Sequence, residues 1–93
     1  MTAIDETRTY FRKPDLLSVD MDGDLVMMSI ETGNYFGVSG VGPFIWGLLE
    51  TPHGLEQLVG AVCAEFEVDE ATASADIAKF LGDLSENGMI EAA

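Results

Sequence analysis

The sequence predicts an α+β domain in which a three-stranded antiparallel sheet is followed by three helices, in the order β-β-β-α-α-α. Short apolar runs separated by glycine-containing turns fill residues 16–38, and apolar residues recur every three or four positions after residue 41. A length of 93 residues suits one hydrophobic core. Residues 1–15 carry charge and few apolar anchors, and Pro14 interrupts any helix there. We therefore expect a flexible arm over residues 1–15 and one domain over residues 16–93.

The three strands are predicted at residues 16–20, 25–30 and 35–38. Asp22-Gly23 lies between the first two strands, and Gly33-Asn34 lies before the third. Both pairs favour the positive φ angles that tight hairpin turns require. The strands should therefore form a meander, with one edge of the third strand open unless another segment covers it.

The helices are predicted from apolar residues spaced three and four apart. Ser39 is a candidate N-cap for the first helix, Asp69 for the third, and Asn87-Gly88 favours a left-handed end to the third. The apolar positions of the three helices are, in order, Val41, Phe44, Ile45, Leu48 and Leu49; Leu55, Leu58, Val59, Val62, Cys63 and Phe66; and Ala73, Ile77, Phe80, Leu81 and Leu84. Met89 and Ile90 should then pack back onto the core.

This element order is that of a winged helix-turn-helix-like domain, a shape commonly used to read DNA. The chain has 17 acidic and 4 basic residues and a net charge of -13, however, and Lys79 is the single cation of the third helix. Because phosphate groups would be repelled, nucleic acid and anionic membranes are disfavoured as partners. The acidic surface either serves solubility or attracts a cationic or amphipathic peptide.

Catalytic and metal-binding chemistry has few candidate residues. His53 is the single histidine and lies in a predicted turn, while Cys63, the single cysteine, lies on the apolar stripe of the second helix. The alternating carboxylates at residues 20–24 lack the spacing and flanking helices of a calcium loop. We predict no enzyme activity, cofactor or metal. We also predict a cytoplasmic location, since no run is apolar enough to span a membrane and no signal peptide is evident.

The third strand and third helix together offer a candidate binding surface. Along the strand, Tyr35 and Phe36 must point to opposite faces. Along the helix, Phe80 lies between Asp76 and Asp83 at spacings of four and three. An aromatic ring flanked by carboxylates suits a groove for an amphipathic peptide. Ordinary core packing with solvated charges is the alternative.

Several strings of the sequence resemble those of PqqD-like proteins. The strongest resemblance lies in ETGNYFGVSGVGPFIWGLLE at residues 31–50. Further similar strings are LEQLV at residues 55–59, FEVD at 66–69, DIAKFL at 76–81 and NGMI at 87–90. The resemblance covers residues 16–91, and it is closer to the stand-alone members of lasso-peptide pathways than to the pyrroloquinoline quinone member.

The resemblance implies a peptide chaperone for ribosomally synthesised and post-translationally modified peptides. Members of this family bind the leader of a precursor peptide as an added strand on the third strand, beside the third helix, and present the precursor to a leader protease or another modifying enzyme. Carried onto this chain, the expected peptide-binding residues are Asn34, Tyr35, Phe36, Gly37, Val38, Ala73, Asp76, Ile77, Lys79, Phe80 and Asp83. A homodimer is possible. The alternative function is an acidic winged-helix regulatory or protein-interaction domain without a leader ligand.

Overall fold

The computed structural model of the protein describes residues 4–14 and 16–93. The elements of the first half are β1 (Thr9–Arg12), β2 (Leu16–Met21), β3 (Asp24–Ser29), β4 (Tyr35–Val38) and α1 (Gly42–Leu48). Those of the second half are β5 (His53–Gly54), α2 (Leu55–Glu65), α3 (Glu70–Glu86) and β6 (Ile90–Ala92). The predicted three-stranded antiparallel sheet followed by three helices is confirmed. None of the helices in the described part of the chain is long and apolar enough to cross a membrane.

Strands β2, β3 and β4 form the predicted meander, with β3 in the centre. The turn between β2 and β3 holds Asp22 at φ 54° and Gly23 at φ 90°. Two consecutive positive φ angles give the turn a twist that matches the flanking strands. This turn sets the register, which pairs Met21 with Asp24 and Leu17 with Met28.

A second antiparallel sheet, with strand order β5-β1-β6, was not predicted. Its central strand β1 lies inside the segment that we predicted as a flexible arm; residues 1–3 and 15 of that arm lie outside the described residues. Arg12 connects β1 to helix α1. Its guanidinium lies 5.6 Å from the centre of the Trp46 ring, and its main-chain amide donates a hydrogen bond of 2.9 Å to the carbonyl of Leu49, the residue after the helix. A four-residue strand paired with segments about 40 and 80 residues away gives no local signal in the sequence.

The helix starts agree with the sequence prediction in one case and differ in another. Asp69 caps α3 as predicted, since its Oδ2 accepts a hydrogen bond of 3.1 Å from the Thr72 amide. Ser39 does not cap α1: it belongs to a preceding turn in which its carbonyl accepts from the Gly42 amide over 3.1 Å. The fixed φ of Pro43 suits the first turn of a helix, which explains why α1 begins at Gly42.

One hydrophobic core joins both sheets to the three helices. The side chains with almost no exposure are Met27, Ile45, Leu49, Leu58, Val62, Ile77, Leu81, Leu84 and Met89. The predicted return of Met89 and Ile90 to the core is confirmed. Helix α3 thus packs one face against the core, and the partly buried Phe80 lies at the edge of that face.

The Asp69 cap should make the stability of the domain depend on pH. Hydrogen bonds from the Thr72 side chain and amide lower the pKa of Asp69 from its ordinary value of 3.8. A lowered folded-state pKa means that the stabilisation is complete above 3.8 and is lost as pH falls through the folded-state pKa. We expect Asp69→Ala to be less stable than wild type at neutral pH, and this difference to shrink at strongly acidic pH. Urea unfolding of both proteins at several pH values checks it, and a difference independent of pH would contradict it.

Candidate peptide-binding groove

Strand β4 has a free edge. Ser29 donates to the Asn34 carbonyl over 3.0 Å, and the register then pairs Met27 with Phe36 and Leu25 with Val38. Hydrogen-bonded and non-hydrogen-bonded pairs alternate along an antiparallel ladder, so the main-chain groups of Phe36 and Val38 point toward β3. The main-chain groups of Tyr35 and Gly37 therefore point away from β3, toward the unpaired edge of the sheet. No other described segment pairs with β4 on that side.

The side chains of β4 alternate between the two faces of the sheet. Val38 is buried and Phe36 is half-buried, and the Phe36 ring lies 6.5 Å from the Phe80 ring of α3. Tyr35 is 72% exposed on the opposite face. The prediction that one aromatic faces the core and the other lies near the surface is thus confirmed.

An apolar cavity of about 140 Å³ lies between the β4–α1 junction and helix α3. Its lining residues are Ser39, Val41, Gly42, Ile45, Asp76, Ile77 and Phe80. Gly42 lets the junction approach α3 closely, because a Cβ at this position would overlap the Val38 side chain and lie 3.6 Å from the Phe80 ring. We call the space between the free edge of β4 and helix α3, with this cavity at its base, the groove.

Helix α3 contributes the wall of the groove. Asp76 is exposed, Asp83 is half-buried, and Lys79 forms an exposed ion pair of 3.4 Å with Asp83. Ile77 lines the cavity but is 1% exposed, and Ala73 is 3% exposed within the core. A peptide in the groove would therefore meet Phe80 and the carboxylates first, with Ile77 beneath them.

The structure brings most of the predicted site residues to this one groove, although the assignment of each as a peptide contact stays a prediction. Asn34 to Val38 form the strand side, and Asp76, Ile77 and Phe80 line the cavity or its rim. Ala73 lies outside the residues lining the cavity. Val41 and Ile45 also line the cavity, which was not predicted from the sequence. Helical periodicity marks them as core residues but does not show which core residues border a cavity.

The residues considered for catalysis lie elsewhere. His53 is in β5, where its Nδ1 lies 2.9 Å from the Thr51 carbonyl oxygen, and Cys63 is a partly buried free thiol packed against the core. In residues 4–14 and 16–93, no group of three His, Cys, Asp or Glu side chains is arranged to hold a metal ion.

The protein-family comparison matches residues 24–90 to the family described as coenzyme PQQ synthesis protein D (PqqD). The chain belongs to the PqqD family. The match begins at β3 and extends to the first residue of β6, so it spans the groove of this PqqD-family protein on both of its sides. No curated protein matches the chain.

Two solved structures resemble this PqqD-family protein over most of its length. One is TbiB1 in complex with the TbiA(beta) leader peptide, which is 36% identical, has a TM-score of 0.77, and aligns over 87% of this chain and 94% of that chain. The other is a lasso peptide synthetase B1 complexed with the leader peptide, with 24% identity, a TM-score of 0.74, and coverage of 88% and 96%. At that lower identity, the second likeness shows the fold alone.

Proposed function

We propose that this protein is a non-catalytic chaperone that binds the leader segment of a ribosomally synthesised precursor peptide as an added strand on β4. It then delivers the precursor, in the cytoplasm, to a leader protease or another modifying enzyme of a lasso-peptide pathway. The observation that carries the proposal is the free edge of β4, whose Tyr35 and Gly37 main-chain groups point outward beside an apolar cavity. The 36% identical TbiB1, solved with a leader peptide, supports it.

The groove provides the two components that strand addition requires. Main-chain hydrogen bonds to Tyr35 and Gly37 would set the register of the guest strand, and pockets for alternate side chains would provide selectivity. Guest side chains on the Phe36 side of the sheet would meet Phe80 and the cavity, and their neighbours would emerge beside Tyr35 on the opposite side. The carboxylates of Asp76 and Asp83 favour a guest with a basic residue near its apolar anchor.

Amide hydrogen exchange tests strand addition one residue at a time. The probe is a synthetic leader peptide from a short precursor reading frame, identified by searching the genomic neighbourhood of this protein. In the free protein, the Phe36 and Val38 amides should already be protected by β3, whereas those of Tyr35 and Gly37 should exchange quickly. Saturating peptide should slow exchange at Tyr35 and Gly37 specifically. A saturated complex without this new protection would refute strand addition on β4, and the absence of any saturable binding would refute the function.

Phe80→Ala should weaken leader binding about fivefold, because the ring that borders the cavity loses contact with an apolar leader side chain. Phe66→Ala is the matched control, since Phe66 is an exposed aromatic that contacts Phe44 away from the groove. Calorimetric titration of both folded variants measures the difference. Equal affinities would remove Phe80 from the binding site.

A further inference from the structure

Strand β2 forms the other edge of the meander, and it is exposed along most of its length. Only Leu16 is half-buried, and the remaining residues of the strand are exposed. Main-chain hydrogen bonds alternate along β3, so the residues of β3 that do not bond to β4 bond to β2, and these include Val26 opposite Val19. The main-chain groups of Ser18 and Asp20, on either side of Val19, therefore point away from β3. Within the described part of the chain, no segment pairs with this edge.

A cavity of about 320 Å³ lies beside the first half of this edge. Its lining residues are Arg12, Lys13, Pro14, Leu16, Ser18, Trp46 and Glu50. Arg12 and Lys13 are two of the four basic residues of a chain whose net charge is -13. We call this space the cationic cavity, because it concentrates positive charge on an otherwise acidic molecule.

The two cations of the cavity have little compensating charge. The Arg12 guanidinium lies over the Trp46 ring and donates to the Trp46 carbonyl over 3.4 Å. Its ion pair with Glu50 is 4.0 Å long, and the Glu50 side chain is 75% exposed, so the pair is weak. Lys13 forms no ion pair with any residue in 4–14 and 16–93. The cavity therefore has the donors and the charge to bind a carboxylate.

The far end of β2 carries the complementary charge, since three aspartates lie within residues 20–24. Two copies of the chain can pair antiparallel along their β2 edges with Ser18 opposite Ser18. In that register, Leu16 of each copy lies opposite Asp20 of the other. Residues directly opposite each other share one face of a sheet. Because Leu16 lines the cationic cavity, Asp20 of each copy would enter the cavity of the other.

This pairing would remove the usual obstacle to association at such an edge. A carboxylate on an edge strand ordinarily discourages pairing with another chain. Here Asp20 would meet the Arg12 and Lys13 cations instead, once at each end of the contact. At physiological ionic strength, charges more than about 8 Å apart are largely screened. The charges at the contact therefore matter more than the net charge of each molecule.

We propose that a second copy of this chain occupies the β2 edge, in a twofold dimer in which Asp20 of each copy binds in the cationic cavity of the other. The two meanders then form one continuous six-stranded sheet. The two β4 edges lie at its opposite ends, about 24 Å apart at about 4.8 Å per strand spacing. Both grooves stay open, so the dimer could bind two leaders. The proposal goes beyond leader binding and does not depend on it.

Sedimentation equilibrium of the full chain, at about 0.15 M salt and up to about 1 mM protein, measures the association. Lys13→Glu and Asp20→Lys each place like charges at both contacts, so each should weaken the dimer at least about fivefold. A mixture of the two variants should recover the dimer, because the mixed dimer pairs opposite charges at both contacts. Glu67→Lys is the control: it makes the same charge change as Asp20→Lys in the turn between α2 and α3, and it should not weaken the dimer.

Ser18→Pro removes the amide at the centre of the pairing but no hydrogen bond to β3, and it should weaken the dimer at least about tenfold. A wild-type protein that stays monomeric over the whole concentration range would overturn the proposal. So would a mixture of the two charge variants that does not associate, or a folded Ser18→Pro that dimerises like wild type. If Ser18→Pro does not fold, the mixture decides, since the Lys13 and Asp20 side chains lie outside the core. The leader is absent from this test, so its outcome leaves the proposed function unaffected.

Discussion

Proline at Tyr35 or Gly37 is expected to weaken leader binding at least about tenfold while leaving the domain folded. The amides of both residues point to the free edge of β4, so neither contributes a hydrogen bond to β3. Proline removes the amide that a guest carbonyl would accept from, and its ring obstructs the approach of the guest main chain. Proline is also tolerated on edge strands when the missing amide faces outward.

Two comparisons separate the loss of a hydrogen bond from other effects. Tyr35→Ala keeps the amide and should bind the leader more tightly than Tyr35→Pro. Phe36→Pro removes a hydrogen bond to Met27 inside the sheet and should lower the free energy of unfolding by about 1–3 kcal/mol. Calorimetry with the leader, together with urea unfolding, measures both effects. If Tyr35→Pro and Gly37→Pro bind the leader like wild type, the guest strand does not lie on this edge.

The meander and the three helices could be predicted from the sequence because their signals are local. The Asp22-Gly23 turn, the alternation over residues 35–38 and the helical spacing after residue 41 each act within about ten residues. Strand β1 could not be predicted in this way. Its partners, Gly54 and Ile90, are distant in sequence, and the contact of Arg12 with Trp46 exists only after α1 has packed.

The sequence predicted which strand and helix form the candidate groove, but not which of their residues line its cavity. Periodicity placed Phe80 on the stripe beside Asp76 and Asp83, and the structure puts its ring near Phe36. The same periodicity cannot distinguish Ala73, which is core, from Ile77, which is both core and cavity lining, because both lie on one helical face.

Gly42→Ala is expected to lower the free energy of unfolding by about 1–2 kcal/mol, since overpacking at the Val38 side chain outweighs the helix propensity gained from alanine. Val38 is buried and its branched side chain has little rotational freedom, so it cannot easily move aside. Gly47→Ala, on the same helix, is the control and should be neutral or stabilising, because a Cβ added at Gly47 would meet no neighbouring atom within 4 Å. Urea unfolding compares the two variants, and equal effects would contradict the proposed overlap.

A double-mutant cycle tests whether the added methyl group and the Val38 side chain compete for the same space. Val38→Ala alone should cost about 2 kcal/mol because it leaves a cavity in the core. In Gly42→Ala/Val38→Ala, the new methyl group enters the space that Cγ1 of Val38 vacates, so the combined cost should fall short of the sum by at least about 0.5 kcal/mol. Additive costs would show that the two residues do not compete for the same volume. Since Gly42 also lines the cavity beneath Phe80, the packing that joins β4 to α1 also sets the floor of the proposed leader site.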